Sequence, residues 1–246
     1  MSLPLATYEA IFTPLDDASR PRAVARKIGR AIELGHLAPG ARLPNEADLS
    51  AQLSVSTITL REALAELRRD GLVETRRGRG GGTLVRGAGA ATVPPLESLL
   101  AGTAAADLRD LGDQCAAVRG AAARLAAERA SADELLGLRE RYRLLAETHA
   151  PADWRREDGR LHVEIAAAAQ SPRLARAELA LQEEAADLLL SPNHEQPHRG
   201  AALRRYRRLL TALDRGNARR ARDIAEEHVG AIVDRLIRAH LEVATR

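Results

Sequence analysis

Between Arg42 and Val85 the apolar positions change period, and each change predicts an element. Asn45 stands as an N-cap ahead of Glu46, and Ala47, Leu49, Ala51 and Leu53 supply a short apolar face, so a helix is expected to end near Leu53. Ser54-Val55-Ser56 then forms a turn with a second N-cap. Ile58, Leu60, Ala63, Leu64 and Leu67 follow at helical spacing, while Thr57, Thr59, Arg61 and Arg68 point elsewhere. Gly71 stops that helix. Leu72 to Thr75 and Thr83 to Val85 alternate like strands, and Arg76-Arg77-Gly78-Arg79-Gly80-Gly81-Gly82 joins them as a basic hairpin. Upstream, Arg22 to Leu34 reads as a helix with Val24, Ile28, Ala31 and Ile32 on its inner face and Gly35 as its cap, placed to support the second helix of the pair.

Helix, turn, helix and basic hairpin make a winged helix-turn-helix. Its second helix suits the major groove of DNA and its hairpin suits the backbone or minor groove. From Leu96 onward the pattern changes to a succession of amphipathic helices near 96–101, 105–130, 132–148, 152–170, 173–190, 198–215 and 217–243. The breaks fall at Gly102, Ser131, Pro151, Ser171-Pro172, Ser191-Pro192 and Gly216-Asn217, and such short connections imply antiparallel neighbours in a bundle. The expected fold is mainly α, with domains at 20–86 (winged helix-turn-helix) and 96–246 (antiparallel all-helical bundle). Residues 1–19 form an arm, and the small, uncharged, Pro-terminated stretch 87–95 forms a linker.

Composition sharpens this picture in three ways. Only five residues are aromatic, so the core must be built from Leu, Ala, Ile and Val. The net charge of +3 hides an asymmetry: residues 20–86 carry 13 Arg and Lys against 7 Asp and Glu, so the basic excess lies on the DNA-binding module and the remainder is net negative. Cys115 is the single cysteine, which excludes an intrachain disulfide and suits a reducing interior. No apolar run approaches the roughly 18 residues of a membrane span, and the first 20 residues lack a charged segment followed by an apolar one, so no signal peptide is expected. A cytoplasmic protein with no membrane partner is the expectation.

Some side chains invite a chemical reading. Asp158 and His162 lie four residues apart, hence on one helical face, and a carboxylate beside an imidazole can ligate a divalent metal; the pair is also commonplace on ordinary helices. His194-Glu195-Gln196-Pro197-His198 spells the HExxH string of zinc proteases, but that chemistry needs both histidines on one helix. Pro197 within the span costs about 3 kcal/mol in a helix interior, so the string reads as a loop. The glycine-rich hairpin lacks the Gly-Lys-Ser/Thr ending of a phosphate loop, and no G-x-S-x-G nucleophile elbow occurs. Nothing in the sequence argues for catalysis.

Gly35, Leu37, Pro39-Gly40, Leu43-Pro44, Glu46, Leu49, Val55-Ser56, Arg61-Glu62-Ala63-Leu64, Leu67, Gly71-Leu72-Val73 and the glycine-rich wing resemble, in order and spacing, the N-terminal domain of GntR-family transcription regulators. The resemblance implies DNA contacts from Ser56, Thr57, Thr59 and Arg61 on the recognition helix and from Arg77 and Gly78 in the wing, with Thr57 standing where many members have arginine. Arg61 is the residue expected to read a base, a bidentate arginine–guanine contact being worth roughly 1–3 kcal/mol; the alternative is a surface salt bridge with Glu62 or Asp70. Arg76, Arg77 and Arg79 should add affinity more than specificity, through counterion release.

Leu125 to Ala130, Asp158-Gly159-Arg160-Leu161-His162, Ser171-Pro172 and Ala212 to Asn217, with His228 beyond, resemble the FCD ligand-binding domain of the FadR subfamily. In many such domains the Asp and His pair joins two further histidines around a metal. His228 matches the last of them, while Tyr206 holds the place of the third. The resemblance therefore points to Asp158, His162 and His228 as candidate ligands of a divalent metal such as zinc, weakened by Tyr206, because a phenol is a poor ligand unless deprotonated. In the competing view these side chains and Tyr206 hydrogen-bond an effector directly; in a third they form an inert buried network. Cys115 stands where the family often has arginine, and Arg119, one turn on, could grip an effector carboxylate or serve only as a salt-bridged surface residue. Together these readings imply a metabolite-responsive regulator, a repressor, that binds a near-palindromic operator as a homodimer. The alternatives are a helical metalloenzyme built on Asp158, His162 and His228, or an architectural DNA-binding protein without an effector.

Overall fold

The computed structural model of the chain describes residues 11–12, 21–76, 78, 81–87, 95–190 and 198–244. The chain divides into two units, residues 1–91 and 92–246. Of the arm, Ile11 and Phe12 are described and both are buried; most of the linker lies outside the described residues.

In the first unit α1 (Pro21–Glu33), α2 (Glu46–Leu53) and α3 (Thr57–Arg69) precede a hairpin of β1 (Val73–Arg76) and β2 (Gly82–Val85). The strands pair antiparallel, Val73 opposite Val85 and Arg76 opposite Gly82. Arg42 bridges to Leu84, and the Leu43 amide donates to the Thr83 carbonyl at 2.9 Å, so the segment before α2 is stitched to the root of the hairpin. The core is aliphatic, as the composition requires, with Val24, Ile28, Leu49, Leu53, Leu60, Leu64, Leu67, Val73 and Val85 all buried. Helix α1 supports α3: a Cβ on Gly29 would lie 3.5 Å from a Leu67 methyl and 3.4 Å from one of Leu72. At the end of α3 the chain turns through Gly71 at φ +72°. The Leu72 amide reaches back to the Leu67 carbonyl at 3.0 Å, satisfying a carbonyl the helix leaves free.

Two assignments of the apolar face need correction. In α2 the buried side chains are Leu49, Ser50 and Leu53, while Ala47 and Ala51 are exposed, because positions two apart do not share a helical face. In α3 the buried side is Leu60, Ala63, Leu64 and Leu67. Ile58 fits none of the three- or four-residue steps from Leu60 and stands in solvent, 67% exposed.

The second unit contains α4 (Leu96–Leu100), α5 (Ala105–Arg129), α6 (Ala132–Glu147), α7 (Pro151–Ala168), α8 (Pro172–Leu190), α9 (His198–Asp214) and α10 (Ala218–Ala244). Each lies within two residues of its expected bounds. Pro151 and Pro172 open their helices instead of preceding them, since proline at a first turn gives up an amide that had no helical partner. Ser131 accepts from the Glu134 amide at 3.2 Å and the Glu134 carboxylate accepts from the Ser131 amide at 2.7 Å, the reciprocal cap that starts α6. Ala185 interrupts α8 with φ −133°. Of the HExxH string, His194 to Pro197 lie outside the described residues, and His198 opens α9.

Helices α5 and α10 run antiparallel and share the most extensive contact in this unit. Small residues allow the approach: a Cβ at Gly112 would fall 2.5 Å from a Val233 methyl. Gly112→Ala is therefore expected to destabilise the protein by about 1–3 kcal/mol in urea unfolding, the cost of overpacking. Gly137→Ala, where nothing lies within 4 Å, is expected to be neutral or stabilising. Equal effects of the two would contradict this packing. The main core joins Leu138, Leu145, Trp154, Leu161, Ile165, Tyr206, Leu209, Leu213 and Ile224, and it surrounds the polar cluster described next.

Candidate functional site

The first candidate surface is the exposed start of α3. Ser56 caps the helix by accepting the Thr59 amide at 3.0 Å, and its hydroxyl lies 2.8 Å from the Thr59 hydroxyl. These two hydroxyls therefore hold the helix start, and Thr59 is partly buried, whereas Thr57 projects into solvent. Arg61 extends from the same end with its side chain 66% exposed, and its Nε donates to Glu46 Oε2 at 2.7 Å. The partner is thus neither Glu62 nor Asp70 but an acid at the start of α2, brought near by the turn between the helices. An exposed pair of this kind is worth at most about 1 kcal/mol and is readily exchanged for another acceptor. Arg68 Nη1 donates to Thr75 Oγ1 at 3.1 Å, tying the far end of α3 to the hairpin. Arg76 is exposed and paired with Glu74 at 2.7 Å. Gly78 takes φ +100°, a conformation that favours glycine; Arg77 and Arg79 lie outside the described residues.

The second site is a polar cluster inside the helical unit. Helix α7 carries Asp158 and His162 one turn apart, α9 carries Tyr206 and α10 carries His228, and none is more than 7% exposed. The Tyr206 hydroxyl is the hub. It donates to Asp158 Oδ1, and it lies 2.9 Å from His162 Nε2 and 3.0 Å from His228 Nε2. Because its one proton goes to Asp158, both imidazoles must donate to its oxygen through Nε2–H. Burial, reinforced by Arg119, holds both histidines well below their usual pKa, so they are neutral. Burial and the adjacent Asp158 push the Tyr206 phenol well above its usual pKa, so it keeps its proton.

This geometry decides how a metal fits. Nitrogen ligands sit about 2.0–2.1 Å from zinc, and the point equidistant from Asp158, His162 and His228 is filled by the phenol oxygen. The fourth donor is a neutral hydroxyl whose ionisation burial opposes. Among the described residues no group of three or more His, Cys, Asp and Glu side chains is arranged to hold a metal. The donor set does not fit a divalent metal while Tyr206 occupies the centre.

Beside the hub, Arg119 of α5 is buried and binds Glu178 of α8 through two bonds, Nε at 3.1 Å and Nη2 at 2.9 Å. Gln182 steadies that carboxylate at 2.7 Å and also donates to the Gly159 carbonyl at 2.9 Å. Arg119 is therefore neither solvated nor open to a ligand through its paired edge. Its Nη1, with Gln182 Oε1 and His228 Nδ1, is buried without a hydrogen-bond partner. Arg119, His162, Glu178, Arg205, Tyr206 and His228 line a space of about 10 Å³, room for about one water, so a larger ligand requires the helices to part. Cys115 lies one turn from Arg119, and burial pushes its thiol up to about 11, which keeps it protonated. Glu178, Gln182 and Arg205 were not among the expected site residues. A signal existed: Glu178 and Gln182 fall on the stripe of Ala175, Leu179 and Ala186, where two polar residues on an apolar face mark a buried network.

Comparison with known proteins bears on both sites. Residues 21–85 match the family described as bacterial regulatory proteins, gntR family, and residues 110–231 match the FCD domain. A protein of Mycobacterium gastri named as an HTH-type transcriptional regulator, RmpR, is 38% identical over 241 residues, covering 96% of this chain and 87% of that protein. The HTH-type transcriptional regulator Rv0494 of Mycobacterium tuberculosis is 39% identical over 71 residues, 29% of each chain. The solved structure of Escherichia coli McbR/YncC shares the fold, with a TM-score of 0.52 at 19% identity over 89% of this chain and 97% of that one.

Proposed function

Since the chain belongs to the GntR family of bacterial regulatory proteins and is a transcription regulator that joins that family's DNA-binding domain to an FCD domain, we propose that it is a cytoplasmic repressor which binds a near-palindromic operator as a homodimer. The observation that carries this reading is the start of α3: Thr57 and Arg61 stand in solvent on a helix whose opposite side is locked in an aliphatic core. Thr57 and Arg61 read base edges, the capping hydroxyls of Ser56 and Thr59 reach phosphates, and Arg76, Arg77, Gly78 and Arg79 hold the backbone. One such head reads one half-site, so a two-fold pair calls for a symmetric operator.

In the same proposal a small-molecule effector enters the helical domain at Arg119, Asp158, His162, Tyr206 and His228. An effector carboxylate must compete with Glu178 for Arg119, and an effector can alter DNA affinity only by favouring one conformational state over another. The hydrogen-bonded hub supports direct recognition without a metal. Family membership runs against the metalloenzyme and architectural alternatives.

A gel shift with DNA from upstream of the protein's own gene tests the reading. Arg61→Ala is expected to weaken binding roughly 5- to 150-fold while the wild-type protein prefers this duplex over random DNA. Equal, sequence-independent retention of both proteins would overturn it.

A further inference from the structure

Ile58 is the second residue of α3 and is 67% exposed, one of three large hydrophobic side chains so placed among the described residues. Leu136 and Leu241, the other two, belong to the helical unit. Packing inside its own unit does not account for Ile58, because the buried side of α3 is complete in Leu60, Ala63, Leu64 and Leu67. Three residues on, and so beside it on the outward face, stands Arg61, also largely exposed. A branched aliphatic side chain in the first turn of a reading helix, beside a guanidinium, meets one apolar feature in the major groove: the C5 methyl of thymine.

We propose that Ile58 determines specificity by packing its side chain on the methyl group of one thymine in each half-site, next to the base pair read by Arg61. The inference rests on the reading that α3 enters the major groove. It goes further in fixing the base class: T·A over C·G or G·C at the position facing Ile58, with selectivity supplied by apolar contact and not by a hydrogen bond. Thr57 and Arg61 on either side then recognise hydrogen-bonding edges, and Ile58 adds a term that salt screens little, since it involves no ion pair.

The test uses the full-length protein. Duplexes are first selected from a random library, and each thymine of the enriched sequence is then replaced in turn by deoxyuridine, which removes the methyl and leaves the pairing edge intact. One thymine per half-site is expected to weaken wild-type binding about fourfold when replaced, the worth of roughly one buried methyl group. Ile58→Ala is expected to bind the parent duplex about that much more weakly and to be indifferent to the replacement; Ile58→Val keeps the sensitivity. Unchanged thermal unfolding of Ile58→Ala, expected for an exposed residue, separates lost contact from lost fold. If no sequence is enriched, the reading of α3 itself fails and the inference falls with it. If a sequence is enriched but every deoxyuridine is tolerated, or Ile58→Ala keeps the wild-type sensitivity, the assignment of Ile58 alone is overturned.

Discussion

Glu178→Ala is expected to lower the unfolding free energy of the helical domain by about 3–5 kcal/mol, the range for stranding one member of a buried ion pair. The pair is 4% and 1% exposed and joined by two bonds, so removing the carboxylate leaves the Arg119 guanidinium in a dry interior with Nη1 already unpartnered. Most of the loss is the penalty of an uncompensated charge and not the attraction itself. Replacing both partners by apolar side chains, Arg119→Met with Glu178→Leu, is therefore expected to recover most of it. Acetate or formate in millimolar excess should raise the melting temperature of Glu178→Ala and leave the wild type unmoved, because the vacated site offers a small carboxylate the contacts Glu178 had. A Glu178→Ala protein as stable as wild type in urea would mean that Arg119 is not held in a dry interior at all.

Tyr206→His is expected to create a metal site where the wild-type chain has a hydrogen-bonded hub. An imidazole stops short of the place reached by the phenol oxygen by about 2 Å, which is the length of a zinc–nitrogen bond. The exchange thus makes room for a cation and supplies a fourth donor beside Asp158, His162 and His228. Equilibrium dialysis should find about one zinc per chain in Tyr206→His and none held by the hub in wild type or Tyr206→Phe. With free zinc at 100 times its Kd, the gain in stability should be about 2.7 kcal/mol. Stoichiometric zinc in wild type, lost in His228→Ala, would show that the phenol yields its place to a metal.

The parts legible in the sequence are those fixed by local chemistry. Helix limits followed from proline, glycine and serine punctuation, and Ser131, Ser56 and Gly71 do in the structure what their residue types allow. Where spacing was read loosely it misled. Ile58 was grouped with Leu60 although two residues place them on opposite sides of a helix, and Ala47 and Ala51 were grouped with Leu49 for the same reason. Asp158, His162, Tyr206 and His228 were legible as a set, through periodicity and resemblance. That the Tyr206 oxygen sits among the other three depends on how α7, α9 and α10 pack, which no single helix encodes. Arg119 was legible as a choice between a ligand grip and a salt bridge; Glu178, 59 residues away, decides it. The interruption at Ala185 has no Gly or Pro to announce it.

The account stands on α3 entering a groove with Arg61 at its reading face, and footprinting of the full-length protein on the DNA upstream of its own gene tests that most directly. Two protected patches, their centres about one helical turn or a whole multiple apart, are expected with wild type and are expected to vanish with Arg61→Ala at the same concentration. Protection that is uniform along the duplex, or an identical footprint from both proteins, would contradict it.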